Sequence, residues 1–169
     1  MGGGHLNADR EVVSDTIALQ EMKEETTLFP SVVFTELKQE EMAGWGWTDE
    51  QSTPFIRMQW IARERHYSDY YPQAKYYIIL IGGDWAGTCL VESSDMHIRI
   101  VDIALLAAFR NQGWGTLVLQ HWLDKARVLG VPVLLSVNAA NRAIRLYQRL
   151  GFQITETSET QIAMEWAAT

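Results

Sequence analysis

The sequence predicts an α+β fold, with a mixed, mostly antiparallel central sheet flanked by helices. Three observations carry this. Runs rich in branched and aromatic residues at 75–81, 85–91 and 96–106 are separated by turns short enough for antiparallel pairing. A broad apolar helix at 116–129 separates the last of these from a buried run at 133–137, so one strand pair is joined by a helical crossover and can run parallel. Two alternating stretches, 153–157 and 161–166, then read as paired edge strands.

Residues 1–9, opening Met-Gly-Gly-Gly-His, have no apolar period and are read as a flexible N-terminus ahead of a single domain over 10–169. Residues 16–20 alternate like a short strand. Residues 24–37 read as a weakly amphipathic helix in which Pro30 must lie in the first turn or kink it. Ala43-Gly44-Trp45-Gly46-Trp47 is an aromatic loop, and Thr48 with Gln51 stands at capping-box spacing ahead of Phe55, Met58, Trp60 and Ile61, which predicts a helix over 49–66. Gly82-Gly83-Asp84 turns the first hairpin. Gly130 stops the 116–129 helix, Pro132 opens the buried strand, and Gly151 ends a last helix over 140–150.

At 169 residues, with 47% hydrophobic and 21% charged side chains, the chain has ordinary globular composition; disordered, collagen-like and coiled-coil classes are excluded. Cys89, the single cysteine, excludes an intramolecular disulfide and a cysteine-clustered zinc site, and no metal is implied. No leader-like segment or membrane-length apolar run stands out, so the expected location is the cytoplasm. A net charge of −7 argues against nucleic-acid or anionic-membrane partners. The charge is uneven: residues 105–150 hold Arg110, Lys125, Arg127, Arg142, Arg145 and Arg149 against Asp124 alone, which suits a small anionic ligand at that end.

Arg110-Asn111-Gln112-Gly113-Trp114-Gly115-Thr116 joins the long strand to the apolar helix, so its backbone N–H groups converge where the helix dipole is positive. The glycines allow positive φ and close approach of a phosphate. Walker A is excluded, because Leu117 follows Gly115-Thr116 without the lysine, and Val118 stands where the dinucleotide fingerprint needs a small residue.

Arg110, Gly113 and Gly115 match Arg/Gln-x-x-Gly-x-Gly/Ala. The run Asn141-Arg142-Ala143-Ile144-Arg145-Leu146-Tyr147, trailed by Gly151-Phe152, matches Asn-x-x-Ala-x-x-Leu-Tyr with its Gly-Phe. In these motifs, and in the order of elements from 16 to 166, the chain resembles the GCN5-related N-acetyltransferases. The resemblance implies the acyl-CoA N-acyltransferase (GNAT) fold, acetyl-CoA as co-substrate, and direct attack by a primary amine of a small molecule or protein. It places the pyrophosphate on Arg110, Asn111, Gln112, Gly113, Trp114, Gly115 and Thr116. It lays the pantetheine along the backbone of Ile103, Ala104 and Leu105, with Asn138 and Asn141 lining the gap where two strands splay. A monomer or homodimer is the expected assembly.

Tyr147 matches the family tyrosine beside the thioester sulfur, or else is a buried packing residue. Full proton transfer from a phenol of pKa about 10 to a thiolate of pKa about 8.5 is uphill by about 2 kcal/mol in water, so a hydrogen bond that strengthens as charge develops suffices. The amine must lose a proton. Where family members often carry a glutamate this chain has Arg99, which leaves Asp102 as first candidate base, with a carboxylate tying strand to helix as its equal alternative. His66 and His97 are further candidates.

Arg57, Arg63, Arg65, His66, Tyr67 and Tyr70 crowd the 49–66 helix and its exit. His66, Tyr67 and Arg99 are the candidate acceptor-binding residues, suited to an acceptor with an anionic group, while an exposed basic helix face is the alternative. Cys89 reads as a packing residue. The missing glutamate also keeps open a non-catalytic acyl-CoA-binding module on the same scaffold.

Overall fold

The computed structural model describes residues 10–168; the N-terminus expected over 1–9 lies outside them. Eight strands form one sheet in the order β1-β2-β3-β4-β5-β6-β8-β7. They are β1 (Arg10–Val12), β2 (Ile17–Glu21), β3 (Lys75–Ile81), β4 (Asp84–Ser93), β5 (Ile98–Leu105), β6 (Val133–Asn138), β7 (Gln153–Thr157) and β8 (Gln161–Trp166). The helices are α1 (Phe29–Met42), α2 (Asp49–Tyr70), α3 (Trp114–Leu129) and α4 (Ile144–Arg149). All pairings are antiparallel except β5 with β6, whose connection is α3. The mixed, mostly antiparallel sheet with flanking helices is therefore as expected. No helix among the described residues is long and apolar enough to cross a membrane.

Alternation sorts the sheet into two faces. Ile17, Leu19, Ile79, Ile81, Cys89, Val91, Ile98 and Ile100 join Val118, Leu119, Trp122 and Leu123 of α3 in the main core. On the opposite face Ile78 and Leu80 meet Phe29 and Val33 of α1. The strand pairing requires a glycine at 87: a Cβ there would sit 2.1 Å from the Ala104 carbonyl oxygen.

Most elements lie where the periodicity puts them, and the differences have local causes. Residues 24–37 do not form one helix. A 3-10 turn spans Glu24–Thr26, and α1 begins at Phe29, placing Pro30 in its first turn. The Thr48/Gln51 capping box is present, and α2 runs past His66 to Tyr70, where Pro72 disfavours continuation. α4 is shorter than 140–150 because the Asn138 and Asn141 side chains accept hydrogen bonds from the Ala140 and Ala143 N–H groups. These local bonds hold the segment out of helix. β8 is not an edge strand, since it lies between β6 and β7. β1 was not foreseen.

β5 contains the feature that shapes the cleft. Leu90 pairs with Asp102 while Val91 pairs with Ile100, so Val101 is an extra, bulged residue. The bulge keeps Ile98, Ile100, Ile103 and Leu105 on the α3 core while Asp102 and Ala104 face α1 and α2. Pairing with β6 stops at the same point, after Ile98↔Val133, Arg99↔Leu134 and Ile100↔Leu135. Beyond it the facing edges of β5 and β6 have no strand partner.

β1 is tied down by Glu11, which receives hydrogen bonds from His121 (2.7 Å) and Lys125 (2.5 Å) of α3. The His121 bond first, then Lys125, outweighs burial and holds the Glu11 carboxyl at about 2, below its ordinary value. A depressed carboxylate stabilises the fold fully above its unfolded pKa, and that contribution fades as pH falls through the folded value. Glu11→Gln should therefore cost about 1 kcal/mol at pH 7, less than the unscreened shift implies because the group is partly exposed, with the deficit shrinking between pH 5 and pH 2 in urea unfolding.

Candidate active site

The splay between β5 and β6 opens a cleft of about 270 Å³ lined by Asp102, Ile103, Ser136, Asn138, Asn141 and Tyr147, among others. Ile103 and Tyr147 also line a neighbouring, mainly apolar cavity of about 260 Å³ that reaches Leu105, Arg110 and Gly115. Two cavities sharing those walls make a path from the glycine loop to the gap between the strands.

At the loop end, Gly113 adopts φ +86° as the N-cap of α3, the left-handed conformation that favours glycine. Asn111 is also left-handed, at φ 61°. The helix therefore starts at Trp114, two residues before the expected Thr116, and no side chain caps it. Its first-turn amides from Trp114, Gly115 and Thr116 lie ahead of the first helical bond, Leu117 N–H to Gly113 O (3.2 Å). At Gly115 a Cβ would meet only the Leu105 side chain, at 3.9 Å, so the missing side chain leaves room beside those amides. An uncapped, dipole-positive helix start beside open space fits a diphosphate.

Along the splay, Val101 to Leu105 present an unpaired strand edge, and Asn138 and Asn141 stand across the cleft. Their side-chain oxygens are used in the turns, which leaves their NH₂ groups as donors. Tyr147 is buried, edge-on to Phe152 at 5.8 Å, and its hydroxyl has no hydrogen-bond partner among the described residues. Burial first, and then Asp102, raises its pKa, so the phenol keeps its proton.

Asp102 Oδ2 accepts a 2.7 Å bond from Arg63 of α2. Arg63 lies over the rings of Phe34 (5.3 Å), Trp60 (5.3 Å) and Tyr67 (4.8 Å). Burial lowers the guanidinium's pKa, but Asp102, Tyr76 and Tyr67 outweigh it, so Arg63 stays charged. Burial moves Asp102 the other way, above the usual carboxylate range, and Arg63 draws it partly back. Tyr76 extends the network by donating to Glu64 (2.5 Å). The alternative weighed for Asp102, a carboxylate joining strand to helix, is thus present in the structure.

His66, Tyr67 and Arg99 come together. With Tyr70, Tyr71 and Ser136 they line a third cavity, of about 520 Å³, which shares Tyr67, Ile100, Val101, Ser136 and Gln161 with the splay cleft. His97 lies elsewhere, bonded to Glu92 at 3.0 Å.

The sequence model of the Acetyltransferase (GNAT) family matches residues 23–152. The chain belongs to the GNAT family. Similar solved structures include the PaiA N-acetyltransferase of Thermoplasma acidophilum in complex with coenzyme A, at 16% identity and TM-score 0.65 over 90% of this chain and 99% of that one. The Escherichia coli ribosomal-protein-S18-alanine N-acetyltransferase aligns at 20% identity and TM-score 0.59, over 90% and 94% of the two chains. Arabidopsis thaliana Naa50 in complex with a bisubstrate analogue aligns at 15% and 0.59, over 90% and 99%. Likeness at these identities establishes the GNAT fold. Among curated protein sequences none matches this chain.

Within this GNAT scaffold the basic charge of 105–150 is less free than the sequence suggests. Arg110 turns away to α1, bonding Glu40 twice at 2.7 Å and Glu36 at 3.2 Å. Glu36 also accepts the Ala107 N–H (2.5 Å), and Gln112 folds back onto the Ala108 carbonyl (2.8 Å). Lys125 pairs with Glu11 and Arg127 with Asp124. The loop's attraction for an anion rests on backbone amides rather than on the Arg110 charge.

Arg63, which the sequence groups with Arg57 and Arg65 as an acceptor-anion binder or an exposed basic face, is instead committed to Asp102 beside the cleft. A signal existed: Trp60, Arg63 and Tyr67 share one helical stripe at i, i+3 and i+7, and an aspartate inside Val101-Asp102-Ile103 needs a cation. Removing one partner of such a half-buried pair strands the other. Arg63→Met should cost about 3 kcal/mol in urea unfolding at pH 8, and less at pH 4, where the abandoned Asp102 takes up a proton; adding Asp102→Leu should recover much of the loss.

Proposed function

We propose that the chain transfers an acetyl group from acetyl-CoA to a primary amine by direct attack in a ternary complex. The observation that carries this reading is the continuity of three features: an uncapped α3 start, an unpaired β5 edge, and an unpartnered Tyr147 hydroxyl where the two cavities meet. The coenzyme complexes of structural neighbours support it, as does family membership.

In this reading Asn111, Gln112, Gly113, Trp114, Gly115 and Thr116 supply the diphosphate turn, and Arg110 holds that turn to α1. The backbone of Ile103, Ala104 and Leu105 pairs with the pantetheine amides, which complete the open edge of β5 as a strand would. Asn138 and Asn141 donate from the opposite wall. Acetyl-CoA supplies the activated acyl group, and the cleft holds it against the incoming amine, which replaces a bimolecular encounter with an oriented one.

The amine nitrogen attacks the thioester carbon, the C–S bond breaks, and Tyr147 donates its hydroxyl proton toward the departing sulfur. Its raised pKa keeps the hydroxyl protonated, as a donor to the developing thiolate must be, and leaves little phenolate to act as a base. Asp102, whose pKa lies above the ordinary carboxylate range, takes the amine proton through a water while Arg63 fixes its Oδ2. Cys89 has no part in acyl transfer, since it is fully buried and burial pushes its thiol pKa up.

Thiol release from acetyl-CoA with a panel of primary amines tests the reaction; tight acetyl-CoA binding without turnover on any amine would leave a coenzyme-binding module. Tyr147→Phe should lower kcat about 100-fold while changing the KM for acetyl-CoA less than about threefold, and an unchanged kcat would reduce Tyr147 to a packing partner of Phe152. Gly115→Ala separates fold from site. It should raise stability by up to about 1 kcal/mol, as glycine to alanine does inside a helix, yet weaken acetyl-CoA binding about tenfold in calorimetry by filling the space beside the first-turn amides.

A further inference from the structure

The cavity of about 520 Å³ beside the splay is walled by rings and one cation: His66, Tyr67, Tyr70, Tyr71 and Arg99. The His66 and Tyr70 rings lie 4.5 Å apart, tilted by 38°, and the Arg99 guanidinium lies over the Tyr71 ring at 5.4 Å. Arg110, which borders the apolar cavity, and Arg63, which holds Asp102 of the splay cleft, are both paired with carboxylates. Arg99 is not. Its cross-strand neighbour Glu92 is engaged by His97 at 3.0 Å, and among the described residues Arg99 has no carboxylate partner. A half-buried guanidinium held over a ring, facing a cavity that opens onto the reaction cleft, attracts an anion and repels a polycationic acceptor.

From these contacts, and resting on the acetyl-transfer reading above, we infer that the acceptor is a primary amine bearing a carboxylate across a flat, apolar spacer, with Arg99 binding the carboxylate and the tyrosines covering the spacer. The register sets the spacer's length. Because Val101 is taken up in the bulge, Arg99 stands two β4 steps from Asp102 and three from Ile103, separations on the order of 7 and 10 Å at the usual strand rise. An α-amino acid, whose carboxylate is one carbon from its nitrogen, is too short to reach both ends, whereas a ring-length amino carboxylate spans them. The net charge of −7 would point to a cationic acceptor, but the field inside the cavity is set by the unpaired Arg99.

The test compares 4-(aminomethyl)benzoate with benzylamine as acceptors, followed by thiol release from acetyl-CoA in wild type, Arg99→Ala, Arg99→Lys and Arg99→Glu. Wild type should favour the carboxylate-bearing amine at least tenfold in kcat/KM. Arg99→Ala should bring that ratio to about one, Arg99→Lys should restore part of it, and Arg99→Glu should invert it. A wild-type ratio near one, or a ratio that survives Arg99→Ala, overturns the inference while turnover of benzylamine leaves the transfer reading standing. Should neither amine be acetylated, calorimetry of the product 4-(acetamidomethyl)benzoate on the coenzyme A-loaded protein decides: binding that weakens at least tenfold in Arg99→Ala supports the Arg99 site, and absent or Arg99-independent binding refutes it. Acetyl-CoA calorimetry on the same proteins, together with thiol release over the wider amine panel, reports the transfer reading separately: lost coenzyme binding, or binding with no turnover on any amine, is the failure of that reading whatever Arg99 does.

Discussion

The ion pair between Arg63 and Asp102 is the contact on which the cleft depends. Asp102 stands one residue beyond the bulge of β5, where the strand has just lost its β6 partner, and an unpaired carboxylate there would have neither water enough nor a cation to stabilise it. Arg63 meets that need from α2 and is itself flanked by the rings of Phe34, Trp60 and Tyr67. One side chain therefore joins α1, α2 and β5 at the level where chemistry is proposed. The pair's value lies less in net stability, which buried ion pairs seldom add, than in holding α2 against β5 beside the splay.

A single extra residue has two effects here. Val101 lets β5 present its apolar residues to α3 both before and after the bulge, and it coincides with the end of parallel pairing. The opening is thus a property of strand register. Side chains then differentiate its ends: bare amides at the α3 start, two turn-forming asparagines in the middle, aromatic rings and Arg99 at the far side.

Much of this was legible in the sequence because it was written in periodicity and glycine placement. The hairpin of β3 and β4, the capping box of α2, the glycine stop of α3 and the glycine turn ahead of it each involve residues close in the chain, where local sterics decide the outcome. What was illegible was long-range. Arg63 and Asp102 are 39 positions apart, Arg110 and Glu40 are 70, and Glu11 and Lys125 are 114, and no local pattern joins them. Hence the basic residues of 105–150 read as charge available to a small anionic ligand, when three of the six are already matched to acids. His66, Tyr67 and Arg99 stand together as candidate acceptor-binding residues in the sequence, and the fold adds the cavity whose wall they share.

Glu36 has a consequence for how the two ends of the molecule communicate. Its carboxylate takes both the Ala107 amide and an Arg110 nitrogen, so the stretch leading into the glycine turn hangs from α1, a helix seated on the opposite face of the sheet from α3. That same helix contributes Phe34 to the ring stack around Arg63. α1 is therefore a strut between the glycine turn and the Arg63 ring stack, and a displacement of its axis is felt in both at once.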